Sequence, residues 1–339
     1  MSVADLVASL RESRGFRHKT DIVDVVGSLA RHMPRGEQDL AQAVALGDDC
    51  AAIAVGDGYL LFAIEGMVSD FVSAMPWFAG YSSVMVNVSD IYAMGGRPLA
   101  VVDALWSQGI GAAEEVLAGM AAASVAYGVP IVGGHTNTRS DASQLAVSIV
   151  GRAKALLSSF NAKPGDRLMM AIDLRGRFEE PYPFWNASVD APPERLRADL
   201  ELLPRFAESG LCDAAKDISM AGTLGTALML LECSRVGARI DLDRIPKPAE
   251  VPLERWLTAF PSFGYLLSVR EEHVDAVQAQ FDARALACAV IGSVDATSEV
   301  VLRQHDEAAT LWDFNREPFI VAKDKSLATH ALAIHGLND

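Results

Sequence analysis

Apolar residues recur along this chain with two different periods, and the switch between them predicts most of its elements. From Trp77 to Met94, the residues Trp77, Tyr81, Val84, Val88, Ile91 and Tyr92 recur at helical spacing, and Gly95-Gly96 supplies a C-terminal stop. Gln144 to Val150 instead alternates, with Leu145, Val147 and Ile149 on one side, as a half-buried strand does. Strands are predicted from Leu46 to Val55 and from Tyr59 to Ile64, joined by Gly56-Asp57-Gly58 as a β-hairpin. Pro98 to Leu105 and Val129 to Val132 read as further strands, and alanine-rich Ala112 to Tyr127 as a helix. Residues 1–40 read as a helical arm of one or two short helices joined by Arg14-Gly15-Phe16-Arg17-His18-Lys19.

A composition shift at Lys154 to Asp166, with Ser158-Ser159 and Lys163-Pro164-Gly165-Asp166, reads as a linker and turn. Beyond it, strands are predicted at Arg167 to Asp173, Arg239 to Leu242, Tyr265 to Val269, Ala287 to Gly292 and Glu299 to Leu302. Helices are predicted at Pro193 to Glu208 and Thr223 to Arg235. The proline-rich stretch from Arg175 to Pro193 reads as a surface loop, with Phe184, Trp185 and Asn186 either lining a substrate pocket or packing the loop. The expected class is α+β with two domains, residues 1–155 and 156–339, since 339 residues exceed one comfortable core.

Composition narrows the function. Hydrophobic residues make up 50% and charged residues 22%, which suits a packed globular chain. A formal net charge of −15 repels a phosphate backbone, so no nucleic-acid partner is expected. It does not exclude a nucleotide, because Mg²⁺ bridges carboxylates to phosphates. Cys50, Cys212, Cys233 and Cys288 are scattered without CxxC spacing, and no signal-like or membrane-spanning apolar run is present, so a cytoplasmic location without membrane attachment is expected.

Several short segments carry candidate chemistry. Gly47-Asp48-Asp49-Cys50-Ala51 places two carboxylates side by side, which suits either a solvated turn or a hard cation. Asn87 and Asp90 stand three apart on one face of an otherwise apolar helix, as a polar site or as a partly exposed face. In Lys216-Asp217-Ile218-Ser219-Met220-Ala221-Gly222, an acidic residue precedes a small-residue stretch that opens a helix, with Ser219 as a phosphate contact or an N-cap.

Taken in order, GDDCA at 47–51, NVSDIYAMGGRP at 87–98, IVGGHTNT at 131–138, AKPGD at 162–166 and KDISMAGTLG at 216–225 resemble the AIR-synthase-related superfamily. The resemblance covers about residues 45–300. It implies a two-domain α+β fold, with the N-terminal mixed sheet pairing across a homodimer into a barrel and the C-terminal part an α/β sandwich. It implies ATP in the cleft between subunits and Mg²⁺ gathered by carboxylates at Asp48, Asp49, Asp90 and Asp217, with Glu65 a further metal contact. Catalysis would then fall to Asp48, Asp90 and Asp217, and nucleotide contacts to Asn87, Gly133, Gly134, His135, Thr136 and Ser219. Gly133-Gly134-His135-Thr136 resembles the superfamily's phosphate-approaching turn, whose paired glycines let backbone N–H groups approach an anion, His135 being either a phosphate contact or simply structural. Phosphoryl transfer demands chiefly positioning and charge neutralisation, which such a set supplies.

Within that superfamily the sequence departs from each well-marked member. Thiamine-monophosphate kinases carry an Asp where Ile64-Glu65-Gly66 stands and a second where Met220-Ala221-Gly222 stands. Selenophosphate synthetases place a reactive Cys or selenocysteine near the N-terminus, whereas no cysteine precedes Cys50 here, and the hydrogenase maturation factor ends in a cysteine that this chain lacks. The expectation is an ATP- and Mg²⁺-dependent synthetase or kinase acting on a small-molecule acceptor, an amide or carbonyl oxygen being one candidate. Thiamine-monophosphate kinase is the alternative within the class, and a non-catalytic nucleotide sensor or partner subunit the alternative outside it. Arg17, Lys19 and Arg97 are either phosphate-holding groups or ordinary surface charge.

Overall fold

The computed structural model describes residues 1–32 and 47–321. Leu46, the last residues of the arm and the C-terminal residues 322–339 therefore lie outside the described residues. The chain runs α1 (Val3–Glu12), α2 (Arg14–His32), β1 (Ala51–Val55), β2 (Gly58–Met67), α3 (Ser69–Ala74), α4 (Pro76–Ala93), β3 (Arg97–Gln108), α5 (Ile110–Tyr127), β4 (Ile131–Asn137) and β5 (Arg139–Ala153). It continues through β6 (Arg167–Ile172), β7 (Arg177–Phe178), β8 (Phe184–Asn186), α6 (Pro193–Leu200), α7 (Leu202–Ser209), β9 (Ala214–Asp217), α8 (Gly222–Ser234) and β10 (Gly237–Asp241). The last elements are α9 (Leu253–Leu257), β11 (Phe260–Pro261), β12 (Gly264–Val269), α10 (Val274–Asp282), β13 (Ala287–Asp295), β14 (Glu299–Gln304) and β15 (Glu307–Asp313).

The first sheet has the order β1-β2-β5-β3-β4, with β3 and β4 parallel and the other pairs antiparallel. On one face Leu61, Val101, Leu105, Val147 and Ile149 are buried in a core shared with α4. The opposite face is open. Phe62 and Ile64 share it, and Ile64 is in register with Ser148 and through it with Val102. These three apolar side chains are 51%, 65% and 42% exposed. Among the described residues no further strand pairs with either edge, β1 or β4, so the sheet they form is open and the expected barrel is not seen closed.

Helix α4 is apolar on nearly every side because it lies between structures. Its residues belong to the same core as Met169, Ala171, Tyr265 and Leu267 of the second sheet. It meets α5 at backbone distance: a Cβ on Gly80 would stand 2.0 Å from the Val116 carbonyl oxygen, and one on Gly119 would stand 1.9 Å from that of Trp77. Pro76 opens the helix, and Gly95, with φ +75°, ends it by donating to Tyr92 O.

The second sheet has the order β15-β14-β10-β13-β6-β12-β9. Its inner strand β6 is buried on both faces, Met169 and Ala171 toward α4 and Leu168, Met170 and Ile172 toward the core that holds α1 and α8. The edge strand β9, beside β12, brings Lys216 and Asp217 under α4.

Three expectations of element structure need correction. The arm's two helices are divided at Ser13, which is extended, so Arg14–Lys19 open α2 rather than join two helices. The helix expected from Pro193 to Glu208 is two, because Pro204 has no N–H to offer Leu200 and its ring crowds that carbonyl. The stretch 175–193 is not a simple surface loop. It forms β7 and β8 of a small sheet with β11, and Trp185 is buried edge-on against Trp256 and Phe178 with its Nε1 donating to Asp173 O at 2.9 Å.

Candidate functional site

The site forms where four separate segments converge. Gly47, with φ +122°, turns the chain into β1 and presents Asp48 and Asp49. Helix α4 contributes Asn87 and Asp90, the end of β9 contributes Lys216 and Asp217, and β2 contributes Glu65 from the side. One oxygen each of Asp49, Asp90 and Asp217 lie within 4.8 Å of one another. Asp90 and Asp217 are 6% and 5% exposed.

Each carboxylate is held differently. Asp48 accepts from Ser158 Oγ at 2.8 Å, from the Ser159 peptide N–H at 3.0 Å and from Ser159 Oγ at 2.7 Å. It thus fixes the loop before β1 to the segment after β5, and does not join the three clustered oxygens. Asp49 pairs through Oδ1 with Lys216 Nζ, and its Oδ2 accepts from the Asp217 peptide N–H at 3.4 Å. That N–H is available because β9 is a sheet edge.

Asp90 Oδ2, Asn87 Oδ1 and Ser219 Oγ are buried with no hydrogen-bond partner among the described residues. Asn87 spends its amide hydrogens on Ser83 O at 2.8 Å and Val147 O at 3.0 Å, which aims its oxygen away from the helix backbone. Buried oxygens without donors are costly unless a cation or a ligand completes them. A hard divalent ion, which takes carboxylate and amide oxygens, fits this donor set.

The electrostatics point the same way. Burial, then the neighbouring Asp49, pushes Asp217 up to about 8, with Lys216 opposing. Burial followed by Asp217 and Glu65 holds Asp90 well above the usual carboxylate range. Burial also raises Asp48, against the pull of Lys216. Burial alone would lower the Lys216 ammonium, but Asp49 and Asp48 outweigh it and keep it charged. Glu65 retains solvent contact on β2, yet loss of solvation raises it, Lys19 of α2 being its main opposing charge. The Cys50 thiol, raised by burial and then by Asp90, stays neutral.

Other sequence-selected residues fall elsewhere. Gly133, Gly134, His135 and Thr136 do not form a turn: they are part of the edge strand β4, parallel to β3, where Gly134 stands against the Asp103 side chain and His135 lies beside Trp106 at a ring separation of 5.9 Å. Ser219 is not an N-cap, since α8 begins at Gly222 after Ala221 and no side chain caps it. Arg97 is paired with Glu201 at 2.7 Å and Glu208 at 2.6 Å. Arg17 is exposed and 3.8 Å from Glu12. Asn186 is likewise structural, its Oδ1 accepting from Ser188 N and Val189 N. Sequence reasoning passed over Lys216, Ser158 and Ser159. A lysine directly before a site aspartate was the available signal for the first; two serines in an apparent linker gave none.

Two family models match the chain: AIR synthase related protein, N-terminal domain, over residues 47–153, and AIR synthase related protein, C-terminal domain, over residues 178–305. The chain belongs to the AIR-synthase-related family, and its fold is the mixed α/β two-domain fold of that family.

An uncharacterised protein of Synechocystis sp. is 48% identical over 320 residues, covering 93% of this chain and 97% of that protein. Thiamine-monophosphate kinase of Pyrococcus horikoshii is 30% identical over 290 residues, covering 79% and 88%. Among solved structures, T. maritima PurL complexed with ATP superposes with a TM-score of 0.69 at 20% identity, over 87% of this chain and 49% of that one, so this chain spans about half the PurL length. AaThiL complexed with AMPPCP and TMP gives 0.62 at 20% identity, over 86% and 96%.

Proposed function

We propose that this protein is an ATP-dependent phosphotransferase or synthetase that activates a small-molecule acceptor. Asp49, Asp90 and Asp217 hold a divalent ion, with Glu65 beside them. The observation that carries this reading is the meeting of three carboxylate oxygens within 4.8 Å, together with a buried oxygen of Asp90 that lacks any donor among the described residues. The relatives add support, since they include kinases and synthetases, and PurL is solved with ATP.

A bound Mg²⁺ supplies charge neutralisation for phosphate oxygens. The chain's own contribution is to hold that charge in place. Ser158 and Ser159 fix Asp48 and so the loop that carries Asp49, while the apolar packing of α4 fixes Asp90. Lys19, on the arm near Glu65 and Asp217, is placed to meet an anionic group. The exposed apolar face of Phe62, Ile64 and Val102 is the surface through which two chains pair, closing the barrel that one chain leaves open. The test is Mg²⁺-dependent release of ADP or phosphate from ATP with candidate acceptors. Absence of nucleotide binding by calorimetry would end this reading, and binding without turnover across acceptors would favour a nucleotide sensor.

Thiamine-monophosphate kinase is a second reading, favoured by the 30% identity to the P. horikoshii enzyme. Incubation with thiamine monophosphate, ATP and Mg²⁺ tests it, and failure to form the diphosphate removes it.

A further inference from the structure

Lys216 stands among the carboxylates as a second cation would. Its side chain and that of Asp49 are only 5% and 7% exposed, and its ammonium pairs directly with Asp49 Oδ1. The other oxygen of Asp49 receives the Asp217 peptide N–H. Both oxygens of Asp48 are occupied by Ser158 and Ser159. Asp90 differs, since its Oδ2 is buried and meets no donor among the described residues. The cluster is therefore divided: one side is already satisfied by an ammonium and hydroxyls, and the other is open.

An ammonium is a compact point charge on a flexible stem, so beside a carboxylate it supplies much of the neutralisation a metal ion would. Unlike an ion, it cannot dissociate. We propose that Lys216 is a built-in counter-ion taking the place of a second cation, so that the site loads a single divalent ion between Asp90 and Asp217. Asp49 is the shared group, with the ammonium on one side and the ion on the other. This rests on the metal-dependent reading of these carboxylates under the proposed function. It assigns to Lys216 the role of setting how many ions the site takes, which neither Asp90 nor Asp217 can do alone.

The experiment is a Mn²⁺ titration of the full chain without nucleotide, read by the free-ion paramagnetic resonance signal. Wild type should bind about one ion per chain and Lys216→Met about two, because the substitution keeps the stem and frees Asp49. The double variant Asp49→Asn with Lys216→Met, which removes the freed carboxylate together with the ammonium, should return to about one ion, held more weakly than in wild type because Asp49 also faces that ion. Mn²⁺ should also raise the melting temperature of Lys216→Met more than that of wild type, and this readout stands even if the metal-free variant is poorly folded. Equal stoichiometry and equal Mn²⁺-induced shifts in wild type and Lys216→Met overturn the proposal, as does a wild type that takes two ions. A wild type that binds no Mn²⁺ overturns instead the metal-dependent reading itself.

Discussion

Asp90 and Asp217 come from a helix and from a sheet edge far apart in sequence, yet they bring oxygens within 4.8 Å of each other and of Asp49. Both are almost wholly buried, and the proton affinity of each is raised by burial and then by a neighbouring carboxylate, Asp217 for Asp90 and Asp49 for Asp217. Such an arrangement is unfavourable for the metal-free chain at neutral pH, and a divalent ion between the two relieves it.

Asp217 makes metal-free stability fall with pH. Its carboxyl titrates at about 8 when folded and at about 4 when unfolded, so between these values the folded state keeps a proton that the unfolded state has lost. Stability then decreases as pH rises through that window, by at most about 1.4 kcal/mol per pH unit for one proton. Urea unfolding of wild type and Asp217→Asn from pH 5 to 8 should show a shallower slope for the variant, and added Mg²⁺ should flatten the wild-type slope. Parallel slopes would remove Asp217 as the cause.

Asp90→Asn should separate folding from function. The amide has the same shape and is easier to bury than a charge, so metal-free stability should match wild type or exceed it by about 1 kcal/mol. Mn²⁺ affinity and ATP turnover should both collapse. A variant that turns over ATP at the wild-type rate contradicts the assignment of this carboxylate.

Asp48→Ala should act through the fold. Three donors from Ser158 and Ser159 lose their acceptor in a buried setting, which costs about 1–3 kcal/mol. Chemical denaturation measures this, and an unchanged midpoint would mean that water replaces the carboxylate without loss.

Gly80→Ala should reach the site from a distance. The added methyl would stand 2.0 Å from the Val116 carbonyl, forcing α4 and α5 apart at a cost of about 1–3 kcal/mol. Because α4 carries Asp90, Mn²⁺ affinity should weaken along with the melting temperature. A lowered melting temperature with unchanged affinity would show that the helix yields without moving its far end.

Ile64→Glu should dissolve the proposed pairing of two chains. Ile64 is 65% exposed on the open sheet face, so a charge costs the single chain little and an apolar interface much. Light scattering after size exclusion should show a dimer for wild type and a monomer for the variant; a monomeric wild type would refute the pairing.

The hairpin of β1 and β2, helix α4 with its glycine stop and the inner strands of the second sheet were legible in the sequence, because local periodicity and turn residues specify them. The motif order was legible too, and with it the family. The small sheet of β7, β8 and β11 was not, since prolines masked strands two or three residues long, and β8 finds its second partner, β11, far along the chain. Nor was the failure of Gly133–Thr136 to form a turn, since pairing with β3 keeps paired glycines extended.

The sequence by itself determined which residue types were available: adjacent carboxylates before a strand, a polar pair on an apolar helix and an acidic residue at a strand end. Only the tertiary structure decided how they are used. It gave Asp48 to two serines, gave Asp49 to Lys216, and left an oxygen of Asp90 without a donor among the described residues. Hydrogen bonds and ion pairs between residues more than a hundred positions apart leave no periodic trace in the chain, and burial, which raises the proton affinity of these carboxylates, exists only once the sheets have closed around them.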